Sequence, residues 1–363
     1  MSFRSNDDIK TAVQTTVALN DIDDVSVAAP ADQDVLTWEA ASSSWVAQVA
    51  GGTGWPTAVG TDYAGTPYEQ ALVSATNGDL IISPNGDGAL IASVPDGTAV
   101  GGDTRGIYAT DFQRLRNAAT QVASGDYATL GGGRYNTASG DYSTAGGGSS
   151  NTASGVDSTV SGGNSNTASG IESTVGGGSS NTASGTYSVV GGGRENTASG
   201  YYSAVAGGFR ALADHYGEFA HASGRFVAAG DAQYSRMILR VQTTDATPTE
   251  LSADGAAPTA ATRLSLADGT AYKFTIDLTA RESATNDTTW REISGCIRRG
   301  AGAATTSLVG SLVTSTGATS GASTWAVSVT ADTVNGALKI TVTGQASHTI
   351  KWVSTVHLTK VAG

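Results

Sequence analysis

Apolar positions return every fifteen residues between 121 and 210, where six aligned blocks share three fixed columns. Ala123, Ala138, Ala153, Ala168, Ala183 and Ala198 hold one; Gly125, Gly140, Gly155, Gly170, Gly185 and Gly200 hold another. Leu130, Ala145, Val160, Val175, Val190 and Val205 hold the third. Each block carries several glycines, and each glycine costs about 1 kcal/mol against alanine inside a helix, so a helical reading is excluded. The "YSTV" stretch alternates as a short strand does, while "ASG" and "GGG" supply turns that need positive φ. Two short strands and two turns use up fifteen residues. The pattern therefore predicts a parallel β-roll, or solenoid, whose coils stack about 4.8 Å apart, so that six coils rise roughly 29 Å.

Beyond residue 236 the grammar changes to strict alternation. Tyr272, Phe274, Ile276 and Leu278 point one way, and Lys273, Thr275, Asp277 and Thr279 the other. Trp325, Val327 and Val329 repeat the pattern, as do Leu338, Ile340 and Val342, and then Ile350, Trp352, Val356 and Leu358. Asn335-Gly336 between two of these runs is a hairpin signal. Short strands with regular turns predict an antiparallel β-sandwich of jelly-roll type. Near the other end, Val35, Leu36 and Trp38 face Trp45 and Val46 across "EAASSS", which predicts a small hairpin stapled by Trp38 and Trp45. Ile9, Val13 and Val17 follow at helical spacing after Ser5 or Asn6, a candidate short helix. "GDLIISPNGDGALIAS" supplies two brief β runs around Asn85-Gly86-Asp87-Gly88. The fold class is all-β, organised as an N-terminal segment (1–66), a β connector (67–120), the repeats (121–210), a neck (211–235) and the sandwich (236–363).

Composition sharpens this picture. The chain has 363 residues, 48 of them glycine, and the inward columns hold mostly Ala, Ser, Gly and Val. So thin an interior predicts that several copies pack about a common axis, three being the arrangement taken here. The net charge of −12 opposes binding to nucleic acid and to anionic lipid. Half of it lies in residues 1–60, where Arg4 and Lys10 stand against eight acidic side chains. The single cysteine, Cys296, excludes an intrachain disulfide and reads as a small buried apolar residue. "MSFRSNDDIK" lacks the pattern of a secretory signal, and no apolar run reaches membrane-spanning length, so membrane insertion is not expected.

The tandem "NTASGxYSxVxGG" blocks resemble the β-roll heads of trimeric autotransporter adhesins and, equally, repeats in bacteriophage tail fibres. "GGDTRGIYATDFQRLRNAATQVASG" (101–125) and "GEFAHASGRFVAAGDAQYSRMILR" (217–240) resemble the fibre segments that lead into and out of such repeats. Residues 19–48 resemble a short module near the ends of virion proteins. From "RMILRVQTTDATPTEL" to "IKWVSTVHLTKV" the chain resembles the C-terminal domain of phage fibre proteins. The resemblance implies a homotrimeric virion fibre, made in the host cytoplasm. Its N-terminal segment, with Trp38 and Trp45, would attach to tail or baseplate proteins, and its tip would meet a glycan or protein of the host surface. A capsid fibre and a glycan-degrading tailspike are alternatives. A bacterial surface adhesin is another, against which the missing secretory signal and membrane anchor argue.

No phosphate-binding loop, HExxH or nucleophile elbow is present, so no cofactor and no enzymatic activity are expected. Asp157 and Glu172 occupy the same place in adjacent blocks, which sets two carboxylates about one strand spacing apart, close to the separation in retaining glycosidases. The other blocks place Tyr127, Tyr142, Tyr187 and Tyr202 there, a candidate column for stacking on sugars or plain cover for the turn. His215 and His221 lie where the repeats fade, and a threefold axis would gather either into an axial ion site. A polar neck residue is the simpler reading of both. His348 and His357 read as structural. For receptor contact, 282–290 and 314–324 are polar loops between strands, with Asn286, Asp287, Thr288 and Trp290 as candidates.

Overall fold

The computed structural model describes residues 89–363 in full and, before them, the backbone of five strands. The chain divides into two compact units after residue 86. In the first, Asp34–Glu39 pairs antiparallel with Ser44–Val49, with Trp38 opposite Trp45, which is the hairpin that the tryptophan spacing predicts. Ala58–Thr61, Pro67–Ser74 and Leu80–Ser83 form an antiparallel three-stranded sheet. The candidate helix over 9–17 and the turn 85–88 lie outside the described residues.

The second unit opens with the solenoid. Nine parallel strands, from Leu90–Ile91 to Phe219–Ser223, stack in one ladder, and six more, from Thr137–Ala138 to Leu212–Ala213, stack in a second. From Thr129–Leu130 to the pairing of Val205 with Ala220 partners stand fifteen residues apart, as in Thr144↔Thr159 and Ala145↔Val160, whereas the first two pairings, Leu90↔Thr110 and Thr110↔Thr129, span 20 and 19. A third column, running from Leu115 through Ser149 and Asn164 to Phe209, is joined by single-residue bridges. Eight intervals of about 4.8 Å give the first ladder a rise of roughly 38 Å.

Inside each coil the alanine and valine columns are fully buried. They are joined there by a column that composition does not reveal. Asn136, Asn151, Asn166, Asn181 and Asn196, the first residue of each "NTASG", have no exposed surface. The Asn166 amide nitrogen donates to the carbonyls of Gly162 (2.9 Å) and Gly178 (3.0 Å), and its Oδ1 accepts the N–H of Asn181 at 3.0 Å. The same bonds repeat from coil to coil. Hydrogen bonds thus complete an interior that apolar volume alone leaves thin, because a buried amide with every group paired carries no desolvation debt.

Both ends of this ladder are capped. Gln113 starts it, its Oε1 accepting Asn136 N–H at 2.7 Å, and the main chain of Ala211 closes it on Asn196 Oδ1. Beside Gln113, buried Asp111 accepts from Arg105 at 2.8 Å and from Arg116 at 3.0 Å. The segment leading into the repeats therefore serves as the polar end cap that a stack of identical coils needs. The invariant glycines of the second column have an equally local cause. A Cβ on Gly155 would fall 2.1 Å from the carbonyl oxygen of Gly170 in the next coil.

The solenoid sheet does not stop at the last coil. Phe219–Ser223 pairs antiparallel with Ala232–Thr243, and Ile350–Ala362, Thr270–Glu282, Thr288–Arg299 and Ser307–Ala318 follow in that order, completing fourteen strands. A second sheet is built around Ala337–Thr343, with Ala326–Asp332, Thr249–Glu250 and Leu264–Ser265. Phe274, Ile276, Trp352, Ile340 and Val342 fill the space between the two sheets, as the alternation predicts. Trp352 settles its indole N–H on Thr243 Oγ1 at 3.0 Å. Cys296 corrects its expected burial: Ile297 takes the core position, so the pleat turns Cys296 to the partly exposed outer face.

Candidate functional site

Three places gather chemistry-bearing side chains. The first is a corner of the solenoid where the chain turns with positive φ. Tyr127, Tyr142, Asp157, Glu172, Tyr187 and Tyr202 all stand there with φ between 54° and 59°. Five of the six side chains are exposed and Tyr187 is half-buried, so this column faces outward. Tyr127 and Tyr142 stack at 4.9 Å and Tyr187 and Tyr202 at 4.8 Å, nearly the rung spacing. The rings therefore cover one another's faces. What remains open is the two-rung break between Tyr142 and Tyr187, which Asp157 and Glu172 occupy, flanked by exposed Val156 and Ile171. The Glu172 charge raises the Tyr187 phenol above its ordinary value. Tyr201 and Tyr216, not singled out by the repeat, add edge and stacked contacts to Tyr202 and to each other.

The second place is the loop pair of the sandwich. Asp287 accepts from Thr285 Oγ1 and Thr319 Oγ1, both at 2.7 Å, and Thr288 N–H donates to Thr319 Oγ1 at 3.1 Å. These bonds to Thr319 and Thr285 hold the Asp287 carboxyl below its ordinary value. Asn286 takes positive φ and accepts from Arg281. The loops 282–290 and 314–324 are thus stitched together through Asp287 and Thr288, two of the four predicted contact residues, with Asn286 between Arg281 and the stitch. Trp290 stands apart from them on the outer sheet face, 46% exposed. Its ring lies across Gly317, where a Cβ would fall 2.4 Å from Nε1. A flat, exposed indole seated on a glycine is a ready stacking surface.

The third place is buried. His215, in the last coil, sets Nδ1 against Asp214 (2.8 Å) and Glu218 (3.0 Å) and Nε2 against the carbonyl of Ser265 (2.8 Å). Lys360, from the final strand, bonds Glu218 Oε1 at 2.5 Å. Asp214, His215 and Glu218 bring three ligand-type atoms within 4.8 Å of one another, the arrangement a metal ion requires. Here both imidazole nitrogens face acceptors and are used as donors, and the Lys360 ammonium already supplies the cation. The residues do not fit an ion, and the cluster works as a latch between solenoid and sandwich. Burial alone would lower the His215 pKa, but hydrogen bonds to Asp214 and Glu218 and the Glu218 charge raise it to about 9. Burial likewise would raise Glu218, yet Lys360 and His215 hold it well below its ordinary value. His221 is exposed and takes no part. Tyr234 OH meets His357 Nδ1 at 2.7 Å, and Gln345 meets His348 at 3.0 Å.

The asparagine ladder and the latch escaped sequence reasoning for different reasons. Asn136 to Asn196 carry a legible signal, a large polar residue unvaried through five blocks next to a position that varies, although the Thr, Ala, Ser and Gly after it are equally constant. Lys360 carries none, since it stands 142 residues from its partner Glu218.

No protein-family model matches the chain, and no curated protein matches it in sequence. Among solved structures it is similar to tailspike gp49 of Acinetobacter baumannii bacteriophage Fri1, a capsular polysaccharide depolymerase. Identity there is 9% over 72% of this chain and 48% of that one, with a TM-score of 0.22. The tailspike of Acinetobacter phage vB_ApiP_P1 shares 12% identity over 71% of this chain and 55% of that one, with a TM-score of 0.20. The tailspike of Acinetobacter baumannii phage AM24 shares 7% over 71% and 52%, with a TM-score of 0.18. The chain spans about half the length of these structures. Likeness at this level assigns it neither activity nor ligand. It does correct one expectation. With a polysaccharide depolymerase among the neighbours, the statement that the chain is no enzyme no longer stands.

Proposed function

We propose that the chain is a fibre-type protein of a phage virion that carries host-surface recognition on its C-terminal sandwich. One observation supports this above the others: a single sheet of fourteen strands runs unbroken from the coils into the sandwich. Such a sheet is a stiff support, and it presents Trp290 and the joined loops 282–290 and 314–324 at the end remote from Leu90–Ile91. The receptor is a host glycan or protein, met by Trp290 on the sheet face and, apart from it, by the loop surface that Asn286, Asp287 and Thr288 shape. The working form is a homotrimer. Gly162 and Gly192 support it, because nothing lies within 4 Å of a Cβ added at either. Neither lies in the left-handed region, although Gly132, Gly147 and Gly177 of the same column do, and on this reading the open space beside the column is where another chain approaches. Trp38 and Trp45 belong to the segment that joins tail or baseplate proteins.

The test is competition for adsorption. Purified protein blocks virus attachment to its host, and Trp290→Ala, which alters an exposed ring and leaves the core intact, weakens blocking about tenfold. Equal blocking by the parent and by Trp290→Ala removes the sandwich from recognition. Light scattering gives the mass of three chains; the mass of one chain ends the trimer reading.

A second reading rests on Asp157 and Glu172. They stand on consecutive rungs, exposed, in the break between two tyrosine stacks, at a spacing near the roughly 5–5.5 Å of a retaining carboxylate pair. On this reading the shaft also cleaves the glycan that the tip binds. Host capsule or lipopolysaccharide incubated with the protein then gains reducing ends, and Glu172→Gln abolishes the gain. No new reducing ends with the parent chain excludes it.

A further inference from the structure

The outer face of the long sheet carries a cavity of about 530 Å³ at the margin where strands Thr270–Glu282, Thr288–Arg299 and Ile350–Ala362 begin or end. That is the volume of a small-ligand site. Its floor is built by register. Ala271 pairs with Arg298 on one side and with Val361 on the other, so a methyl group lies in the dip between a guanidinium and an exposed aliphatic wall. The loop beyond adds Gly300 and Thr305, packed so that a Cβ on Gly300 would come 3.2 Å from Thr305 Oγ1.

The two adjacent arginines differ in what holds them. Arg299 is committed: its Nε lies 2.7 Å from Asp268, and its Nη1 donates to the carbonyl of Leu266. Arg298 is tethered only through Nε, at 3.4 Å from Ser307 Oγ. Its two terminal nitrogens have no partner among the described residues. Arg298, with both terminal nitrogens unclaimed, thus lines the same cavity as the Ala271 methyl and the exposed Val361 side chain.

We propose that this cavity binds a carboxylate-bearing sugar ring of hexuronic acid size. Arg298 takes the carboxylate on its two terminal nitrogens, a bidentate geometry that only a planar fork offers. The apolar face of the ring rests on Ala271 and Val361. The inference deepens the recognition function proposed above by naming an acidic glycan unit as one of its ligands, and it rests on that reading for its biological meaning alone.

The test reads binding directly and apart from adsorption. Glucuronate and glucose are titrated into the full-length protein and followed by saturation-transfer NMR. Glucuronate binds at least about tenfold more tightly than glucose, and Arg298→Gln reduces glucuronate to the level of glucose. Ala271→Leu, which fills the floor, removes binding of both. Melting curves matching the parent's show that the variants fold. Equal binding of the two sugars, or glucuronate binding that survives Arg298→Gln, overturns the proposal. So does an absence of glucuronate binding. If the parent binds glucuronate yet does not block adsorption, the cavity assignment stands and the recognition function fails.

Discussion

Replacing one amide inside the solenoid offers the sharpest test of how the coils hold together. Asn166 makes five bonds: its N–H to Asn151 Oδ1 at 2.9 Å, two from its amide nitrogen to glycine carbonyls, one that Oδ1 accepts from Asn181, and one that its main-chain carbonyl accepts from Thr152. Asn166→Asp keeps the acceptor but removes both donors; Gly178 retains the Asn164 N–H, while the Gly162 carbonyl and the new carboxylate oxygen are left facing each other without a partner. Each buried group left unpaired costs about 1–3 kcal/mol, so the loss of two at neutral pH is about 4 kcal/mol. Burial raises the pKa of the introduced carboxyl, and its protonated form donates one bond again. The penalty therefore shrinks as pH falls toward about 4, which a cavity effect would not do.

Guanidinium unfolding followed by circular dichroism measures the loss, and hydrogen exchange by mass spectrometry locates it. Peptides covering 166–181 lose protection in the variant. Ser169→Ala, on an exposed position of the same coil, changes the midpoint by less than about 0.5 kcal/mol. A loss under about 1 kcal/mol for Asn166→Asp at pH 7, with unchanged exchange over 166–181, would refute the buried ladder.

Other consequences follow from the same geometry. Gly155→Ala drives a carbon to within 2.1 Å of the Gly170 carbonyl oxygen and lowers stability by about 3 kcal/mol, whereas exposed Ser154→Ala is neutral; thermal melts compare them. Removing one partner from the buried latch by Lys360→Met leaves the Glu218 carboxylate uncompensated and costs about 3–5 kcal/mol, read as an early loss of the sandwich in calorimetry. The latch also sets a pH window. His215, raised to about 9, contributes fully below its ordinary value of 6.5 and loses that contribution as pH rises through about 9. Glu218, held low, contributes above its ordinary value of 4.5 and loses this as pH falls. The junction is therefore firmest from about pH 5 to 6.5, and His215→Gln flattens the alkaline limb of a melting profile.

How much of this was legible along the chain depended on the range of the interaction. The fifteen-residue period determined the coils, because each coil meets the next through the same residues, and a repeated contact writes itself as a repeated letter. Gly155 and Val160 were readable for that reason. The alternation from Tyr272 to Leu278, and that from Leu338 to Val342, determined the sandwich, because a strand with one buried face must alternate. The tryptophan hairpin needed only six intervening residues. What the sequence left open was decided between parts distant along it. The meeting of Ile350–Ala362 with Ala232–Thr243 carries the coil sheet into the sandwich, brings Lys360 to Glu218, and turns His215 from a candidate ligand into a donor with both nitrogens used. The floor between Arg298 and Val361 likewise exists only because Ala271 pairs with both. Period and alternation record forces that recur at fixed spacing. A single pairing of remote strands recurs nowhere, so only the folded chain displays it.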